Sequence, residues 1–421
     1  MKTFKIVTLG CRTNQYESQA YRDQLVKMGW VESDSENPAE LCIVNTCTVT
    51  DSADQSSRYQ IKQLAKKNPE SKIFVTGCLA ERDSKNLKAL PQVEEVVSNL
   101  KKEELLNVIF KDEEVPEFKI EHFEAHTRAF VKVQDGCNSF CSYCIIPYVR
   151  GRSRSKKIAE IVEEVKGLVQ NGFKEIVLTG INIGDFDGGV EKGETPDRLS
   201  HLVKAVDEIE GLKRLRISSI DPDEVDGDLV DAIINGKTTC SSMHIVLQAG
   251  SNTVLKRMNR KYTKQQFYEA VEKLKQARAD FAFTTDVIVG FPGETDEEFE
   301  ETLEVIHSVK FAKVHMFPYS VRPGTKAARM TGHLPTDVIQ LRKEKVLRLS
   351  EKSSYELREQ FVGKTMSVLL EAEDDDGMHI SGHTDNFLLV KIKKDHHRQN
   401  DLVDVYLKEN SPSCLLGEVI Q

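Results

Sequence analysis

Apolar residues recur along the chain in three rhythms. Over residues 1–110, short apolar runs at 5–9, 42–45, 72–76 and 94–97 predict strands. Between them apolar positions return at helical spacing, with Tyr21, Leu25 and Met28 on one face and Ile61, Leu64 and Ala65 on another. Such alternation predicts an α/β domain, a parallel sheet flanked by helices. Residues 111–124 are charged, hold Pro116, lack a period and read as a linker. From 125 to 358 the strand–helix rhythm resumes, with strands predicted at 129–133, 175–178, 215–217, 244–247, 282–289 and 314–317. One helical stripe is Ile158, Ile161, Val162, Val165 and Leu168, stopping near Gly172. Another is Phe299, Leu303 and Ile306, starting near Thr295. Six such units predict a partial (β/α)6 barrel with its chemistry at the C-terminal ends of the strands. Residues 361–421 change rhythm again. Short strands at 366–370, 378–381, 387–392, 402–407 and 416–420, parted by Asp, Gly and Asn turns, predict a small all-β, OB-like barrel.

At 421 residues the chain has room for two or three domains, and its 39% hydrophobic and 30% charged residues are an ordinary globular mix. No apolar run approaches a membrane span. The N-terminus reads as a strand and not a signal peptide, so a cytoplasmic protein is expected. In a reducing compartment, nine cysteines point to metal or redox chemistry before disulfides. A net charge of −9 argues against a globally basic nucleic-acid binder but leaves room for local basic tracks. Candidates are Arg150, Arg152, Arg154, Lys156 and Lys157, then Lys256, Arg257, Arg260 and Lys261, and a tail tip of Lys391, Lys393, Lys394, His396, His397 and Arg398. Each also reads as an ordinary solvated charge run.

The cysteines sharpen this picture. Cys137, Cys141 and Cys144, spaced C-x3-C-x2-C, follow the first predicted barrel strand. Three thiolates leave one position open on a zinc ion or a four-iron cluster. With zinc, His126 or His122 would supply the fourth ligand, and the chain would be a zinc-stapled RNA-binding protein. Cys11, Cys47 and Cys78 each stand just past a predicted strand. Open parallel sheets build sites at that edge, so this trio is expected to converge on a second centre. The alternative is three separate buried thiols, as expected for Cys42 inside a strand.

The loop Asp135-Gly136-Cys137-Asn138-Ser139-Phe140-Cys141-Ser142-Tyr143-Cys144 resembles that of radical S-adenosylmethionine (SAM) enzymes. With Thr8-Leu9-Gly10-Cys11-Arg12-Thr13-Asn14-Gln15-Tyr16-Glu17-Ser18, Asn45-Thr46-Cys47 and Thr76-Gly77-Cys78, nearly the whole chain resembles the radical-SAM methylthiotransferases. Within them it looks most like those acting on N6-threonylcarbamoyladenosine (t6A) of tRNA, on the stretch from Cys11 to Glu17. The tail resembles the TRAM RNA-binding module, centred on Gly382-His383-Thr384-Asp385-Asn386-Phe387, where the family often has Tyr in place of Phe387. A stacking ring for RNA is expected there.

The resemblance implies two [4Fe–4S] clusters and SAM. Cys137, Cys141 and Cys144 would hold the SAM-binding cluster, and Cys11, Cys47 and Cys78 the auxiliary one. SAM would touch the turns bearing Thr179, Gly180 and Asn182, Ser218 and Ser219, Gln248 and Gly250, and Val289 and Gly290. The glycines are expected to permit close backbone approach to the ligand; each turn also reads as a simple barrel loop. The implied target is C2 of t6A at position 37, an aromatic C–H that requires a radical. SAM cleavage would yield methionine and a 5′-deoxyadenosyl radical, the auxiliary cluster would supply sulfur, and a second SAM the methyl group. Expected partners are the tRNA anticodon loop, a reductase or flavodoxin-like electron donor and a sulfur donor, with the chain acting as a monomer away from membranes. Isopentenyladenosine in tRNA and a ribosomal-protein aspartate are the alternative substrates. No catalytic acid or base is singled out.

Overall fold

The computed structural model describes residues 2–34, 37–123, 126–190, 193 and 195–420. β1 (Thr3–Thr8), β2 (Val31–Glu32), β3 (Leu41–Thr46), β4 (Lys72–Gly77) and β5 (Val93–Val96) form one parallel sheet in the order β2-β1-β3-β4-β5. Every residue of β3 is buried, as befits a central strand covered on both faces. Alternation along it divides the core. Ile43 packs with Phe74, Tyr21 and Leu25 under the helix Arg12–Lys27. Cys42 and Val44 pack with Ile61 and Leu64 of the helix Asp51–Lys67. The second helix is started by Thr50, whose side chain accepts from the Ala53 N–H.

The central body holds β6 (Arg128–Lys132), β7 (Glu175–Thr179), β8 (Arg214–Ile217), β9 (Ser242–His244), β10 (Ala282–Val289) and β11 (Lys313–Pro318). Two parallel three-stranded sheets, β8-β7-β6 and β9-β10-β11, are joined by parallel bridges at Leu215–Thr239 and Ile220–Ile245. The six strands thus wrap into the expected partial barrel. The strand predicted over 244–247 ends at His244; beyond it pairing survives only as single bridges, and Gln248 has φ 60°, which breaks the pleat. Along β10, Phe283, Thr285, Val287 and Val289 are buried, while Thr284, Asp286 and Ile288 stay partly exposed on the opposite face.

The helix Thr336–Glu359 lies along β11 and leads into the third body. There β12 (Thr365–Glu373), β13 (His379–Thr384), β14 (Leu389–Lys393), β15 (Leu402–Asn410) and β16 (Leu415–Val419) close a barrel in the order β12-β13-β14-β16-β15. Its turn at 384–387 abuts the N-terminal ends of the central strands. Arg214 donates to the His383 and Ser367 carbonyls at 2.8 and 2.7 Å, and Arg216 to those of Thr384 and Asp385 at 2.8 and 2.5 Å. The Phe387 ring stacks on His383 at 4.5 Å, with the Arg128 and Arg216 guanidinium groups 5.0 Å from its centre. The ring expected to stack on RNA is thus committed to a seam between domains.

Residues 111–123 form no regular element, yet they are not a free spacer. Ile120 and Phe123 are buried, Phe118 packs on Tyr16 and Tyr21, and the Glu121 N–H donates to Asp23 at 2.6 Å. The expected boundary at residues 124 and 125 lies outside the described residues.

Candidate active site

Cys11, Cys47 and Cys78 follow β1, β3 and β4, three adjacent strands paired Thr8–Asn45 and Thr46–Gly77 at their ends. That register brings the three cysteines to one edge of the sheet. Gly10 has φ 95°, and a Cβ there would lie 2.8 Å from both Cβ and Sγ of Cys47, so only glycine fits. Asn14 Nδ2 ties two of the strand ends, donating to the Leu9 and Thr46 carbonyls at 2.6 and 3.1 Å. Burial pushes the Cys47 thiol up, and the Cys78 thiol up to about 12. Thiolates in this setting call for a neighbouring positive charge. One is present: Arg150 Nε lies 3.2 Å from Cys78 Sγ.

The second trio lies in the loop after β6. The loop opens at Gly136 (φ 73°), where a Cβ would collide with the Arg152 carbonyl. It is fastened by Ser142, whose N–H donates to the Met258 carbonyl and whose Oγ donates to that of Arg257, both at 2.8 Å. The Ser139 N–H donates to Cys137 Sγ at 3.3 Å, and Arg260 Nη1 to Cys141 Sγ at 2.9 Å. Burial raises the Cys137 thiol and pushes Cys144 up to about 12. Each trio therefore has a cationic donor on one sulfur, which stabilises thiolate and tunes any cluster it holds.

Between the trios lies a buried charge network. Arg150 has no exposed surface; it donates to Asp135 at 2.9 Å, to Glu17 at 3.2 Å and to Asn14. Lys102 Nζ is 2.6 Å from both Glu17 and Asp135. Burial alone would raise the Glu17 carboxyl, but Lys102, Arg150 and Lys132 hold it down at about 2. Ile145 and Val149, flanking and ending the helix Ile146–Val149, pack against Cys78 and complete the junction.

This network corrects the basic tracks expected from sequence. Arg150 cannot reach RNA. Arg154 pairs with Asp135 at 2.9 Å, and Lys156 with Glu164 at 3.0 Å. Arg257 pairs with Glu298 at 2.5 Å, and Arg260 with Asp221. On the tail, Lys391 pairs with Asp374, and Lys394 with Glu373 at 2.6 Å. Exposed cations that remain include Arg152, Lys157, Lys256 and Lys261. Sequence proximity to the cysteines misled because buried carboxylates and sulfur need some of these cations inward.

The residues expected to touch SAM gather at the C-terminal ends of the central strands. Thr179 ends β7, Gly180 follows, and the Asn182 N–H donates to Gln134 Oε1 at 3.0 Å. Ser218 and Ser219 follow β8, Gln248 and Gly250 lie beyond β9, and Val289 and Gly290 lie at the end of β10. Two of these glycines also have packing reasons of their own. A Cβ on Gly250 would meet the Glu301 carbonyl at 2.5 Å, and one on Gly290 would meet Ile339 Cγ1 at 2.5 Å. Ser218 Oγ, Gln248 Oε1 and Ser139 Oγ are buried without a hydrogen-bond partner. Buried polar atoms left unpaired at a strand edge fit a polar ligand there. The sequence reading missed Glu224, whose carboxyl is raised to about 8 by burial and by Asp221, and which accepts from Asn182 Nδ2 at 3.0 Å. The acidic turn Asp221-Pro222-Asp223-Glu224 after a strand was its available signal.

Among the described residues no group of three or more His, Cys, Asp or Glu side chains could hold a metal ion as placed. His126 sits instead between the Phe123 and Phe130 rings, at 5.2 and 5.7 Å. Six cysteines in two sets, with cationic donors on sulfur and unpaired polar atoms nearby, suit thiolate-held clusters.

Residues 131–306 match the Radical SAM superfamily, and residues 3–98 match the Uncharacterized protein family UPF0004. The chain is 47% identical to the threonylcarbamoyladenosine tRNA methylthiotransferase MtaB of Chlamydia pneumoniae, over 99% of this chain and 98% of that protein. It is 38% identical to the protein of the same name from Bacillus subtilis, over 93% and 91%. It is also 34% identical to the tRNA-2-methylthio-N(6)-dimethylallyladenosine synthase of Finegoldia magna, over 99% and 94%. Among solved structures, the radical SAM methyltransferase TsrM of Kitasatospora setae aligns with a TM-score of 0.58 at 13% identity, over 78% of this chain and 77% of that one, a likeness of fold.

Proposed function

The chain belongs to the radical-SAM methylthiotransferase family, and from that membership we propose that it installs a methylthio group at C2 of t6A at position 37 of tRNA. The carrying observation is the placement of two cysteine trios at the C-terminal edges of two adjoining parallel sheets, joined through Arg150. Cys137, Cys141 and Cys144 would hold a [4Fe–4S] cluster with one iron left for SAM, and Cys11, Cys47 and Cys78 a second cluster. When bound, these groups supply the radical, the sulfur and the methyl group, for which an aromatic C–H offers acid–base catalysis no handle.

The chain's own part is to position and to shield. Arg260 and the Ser139 N–H steady charge on one sulfur set, and Arg150 on the other. Ser218 and Gln248 present free polar atoms for SAM. Exposed Arg152, Lys157, Lys256 and Lys261 track phosphates of the anticodon loop. A reductase or flavodoxin-like protein delivers electrons, and a separate donor renews the sulfur. No described helix is long and apolar enough to cross a membrane.

The substrate reading follows the relatives of 47% and 38% identity; those named for the dimethylallyl nucleoside stand at 34–35%. Mass spectrometry of tRNA nucleosides from a deletion strain tests it. Loss of 2-methylthio-t6A with t6A retained supports the proposal. Loss of the isopentenyl product instead overturns it.

A further inference from the structure

Arg12 follows Cys11 directly and opens the helix Arg12–Lys27. Its guanidinium lies 5.4 Å from the centre of the Phe130 ring on β6, so the side chain leaves the N-terminal sheet and reaches the central barrel. There it borders a cavity of about 90 Å³, lined also by Phe130, Met243, His244 and Thr284. That volume holds several waters, or one small polar group, but not a nucleobase.

The other cations on this cavity are engaged. Arg216 clamps Glu175 at 2.7 Å, and Arg128 holds Glu371 at 2.9 Å. Among the described residues Arg12 makes no hydrogen bond or ion pair, and its guanidinium rests over the Phe130 ring. Two carboxylates act on it from the barrel: Glu175, already taken by Arg216, and Asp286, which lies 3.4 Å from His244 Nε2. Arg12 itself is exposed at the edge of this cavity. Its guanidinium makes no direct ion pair with either carboxylate. His244 Nε2, on the same cavity, is buried and makes no hydrogen bond.

An unpaired guanidinium beside a cavity of mixed polar and apolar walls matches a carboxylate, which it can grip in two parallel hydrogen bonds. The threonylcarbamoyl group ends in one carboxylate and carries a hydroxyl; the isopentenyl group has neither. We propose that Arg12 forms a carboxylate-binding subsite that selects the threonylcarbamoyl substituent, with His244 Nε2 as a second polar contact. The inference rests on the t6A reading and adds the residue that enforces it. Because Arg12 adjoins Cys11, recognition of the substituent is built beside the cysteines assigned to sulfur delivery.

The test is binding, read by fluorescence anisotropy under argon on cluster-reconstituted protein. The probes are anticodon stem-loops carrying t6A, its threonyl methyl ester, or isopentenyladenosine. Wild type should bind the acid about tenfold to a hundredfold more tightly than the ester, the range for a hydrogen bond to a charged group. Arg12→Gln should lose that factor for the acid and no longer distinguish acid from ester, while Arg12→Lys should keep part of it. Folded, iron-replete Arg12→Gln that still distinguishes them as wild type does would overturn the subsite. If Arg12→Gln does not fold, wild type decides alone: indifference to esterification overturns the proposal. A wild type that prefers the isopentenyl RNA sinks the substrate reading itself, a result distinct from failure of the Arg12 arm.

Discussion

Arg150 Nε and Cys78 Sγ lie 3.2 Å apart across the boundary between the N-terminal sheet and the central barrel. The same guanidinium holds Asp135, two residues before Cys137. One fully buried side chain thus touches a cysteine of the first trio and the approach to the second.

Arg150→Met should therefore be costly. It leaves Glu17 and Asp135 buried with fewer cations, and breaking one partner out of such a network costs about 3–5 kcal/mol. Urea unfolding should register that loss. Arg150→Lys, which keeps the charge but not the fork, should fall between the two.

The two cysteine sets should separate by function. Replacing Cys137, Cys141 or Cys144 with Ala should abolish SAM cleavage. Replacing Cys11, Cys47 or Cys78 should spare cleavage and stop thiolation. Iron should fall from about eight to about four per chain in either set, counting two four-iron clusters. Loss of all SAM cleavage in folded protein of the second set would contradict the division.

Acid should weaken the domain junction through Glu17. Its folded value of about 2 lies below its ordinary 4.5, so the unfolded chain binds the proton more readily. The stability it contributes is present above 4.5 and is lost as pH falls from there toward 2. Urea midpoints for wild type and Glu17→Gln, measured from about pH 6 down to about pH 3, should converge as pH falls. A constant gap would mean that another group governs the junction.

Phe387→Ala should loosen the third body from the second. It removes a ring set against His383, Arg128 and Arg216, a contact of about 1–2 kcal/mol from its cationic neighbours. Limited proteolysis should release the C-terminal barrel more readily from the variant. Phe387→Tyr should behave as wild type.

Much of this molecule was legible in sequence because strand rhythm carries register. Cys11, Cys47 and Cys78 each follow a buried parallel strand, and adjacency of those strands brings the cysteines together without further information. The helix starting near Thr295 was readable because Thr295 and Glu298 cap it reciprocally. What a charged side chain does was harder to read. Nothing local separates Arg150, buried against sulfur, from Arg152, exposed two residues later. That difference comes from Glu17 and Lys102 in another domain. Phe387 misled for the same reason, since its partners Arg128 and Arg216 are remote in sequence. At glycines 250 and 290 the sequence does not reveal that a side chain would also collide with the helix Asp296–Val309 and with Ile339.

The turn at 384–387 gives the tail a second duty. A chain truncated before residue 361 would lose more than an RNA module. It would lose the cork in the far end of the reaction vessel, admitting bulk solvent and its quenchers from behind. Deletion phenotypes of this tail should therefore include uncoupled consumption of SAM, and not merely weaker capture of tRNA.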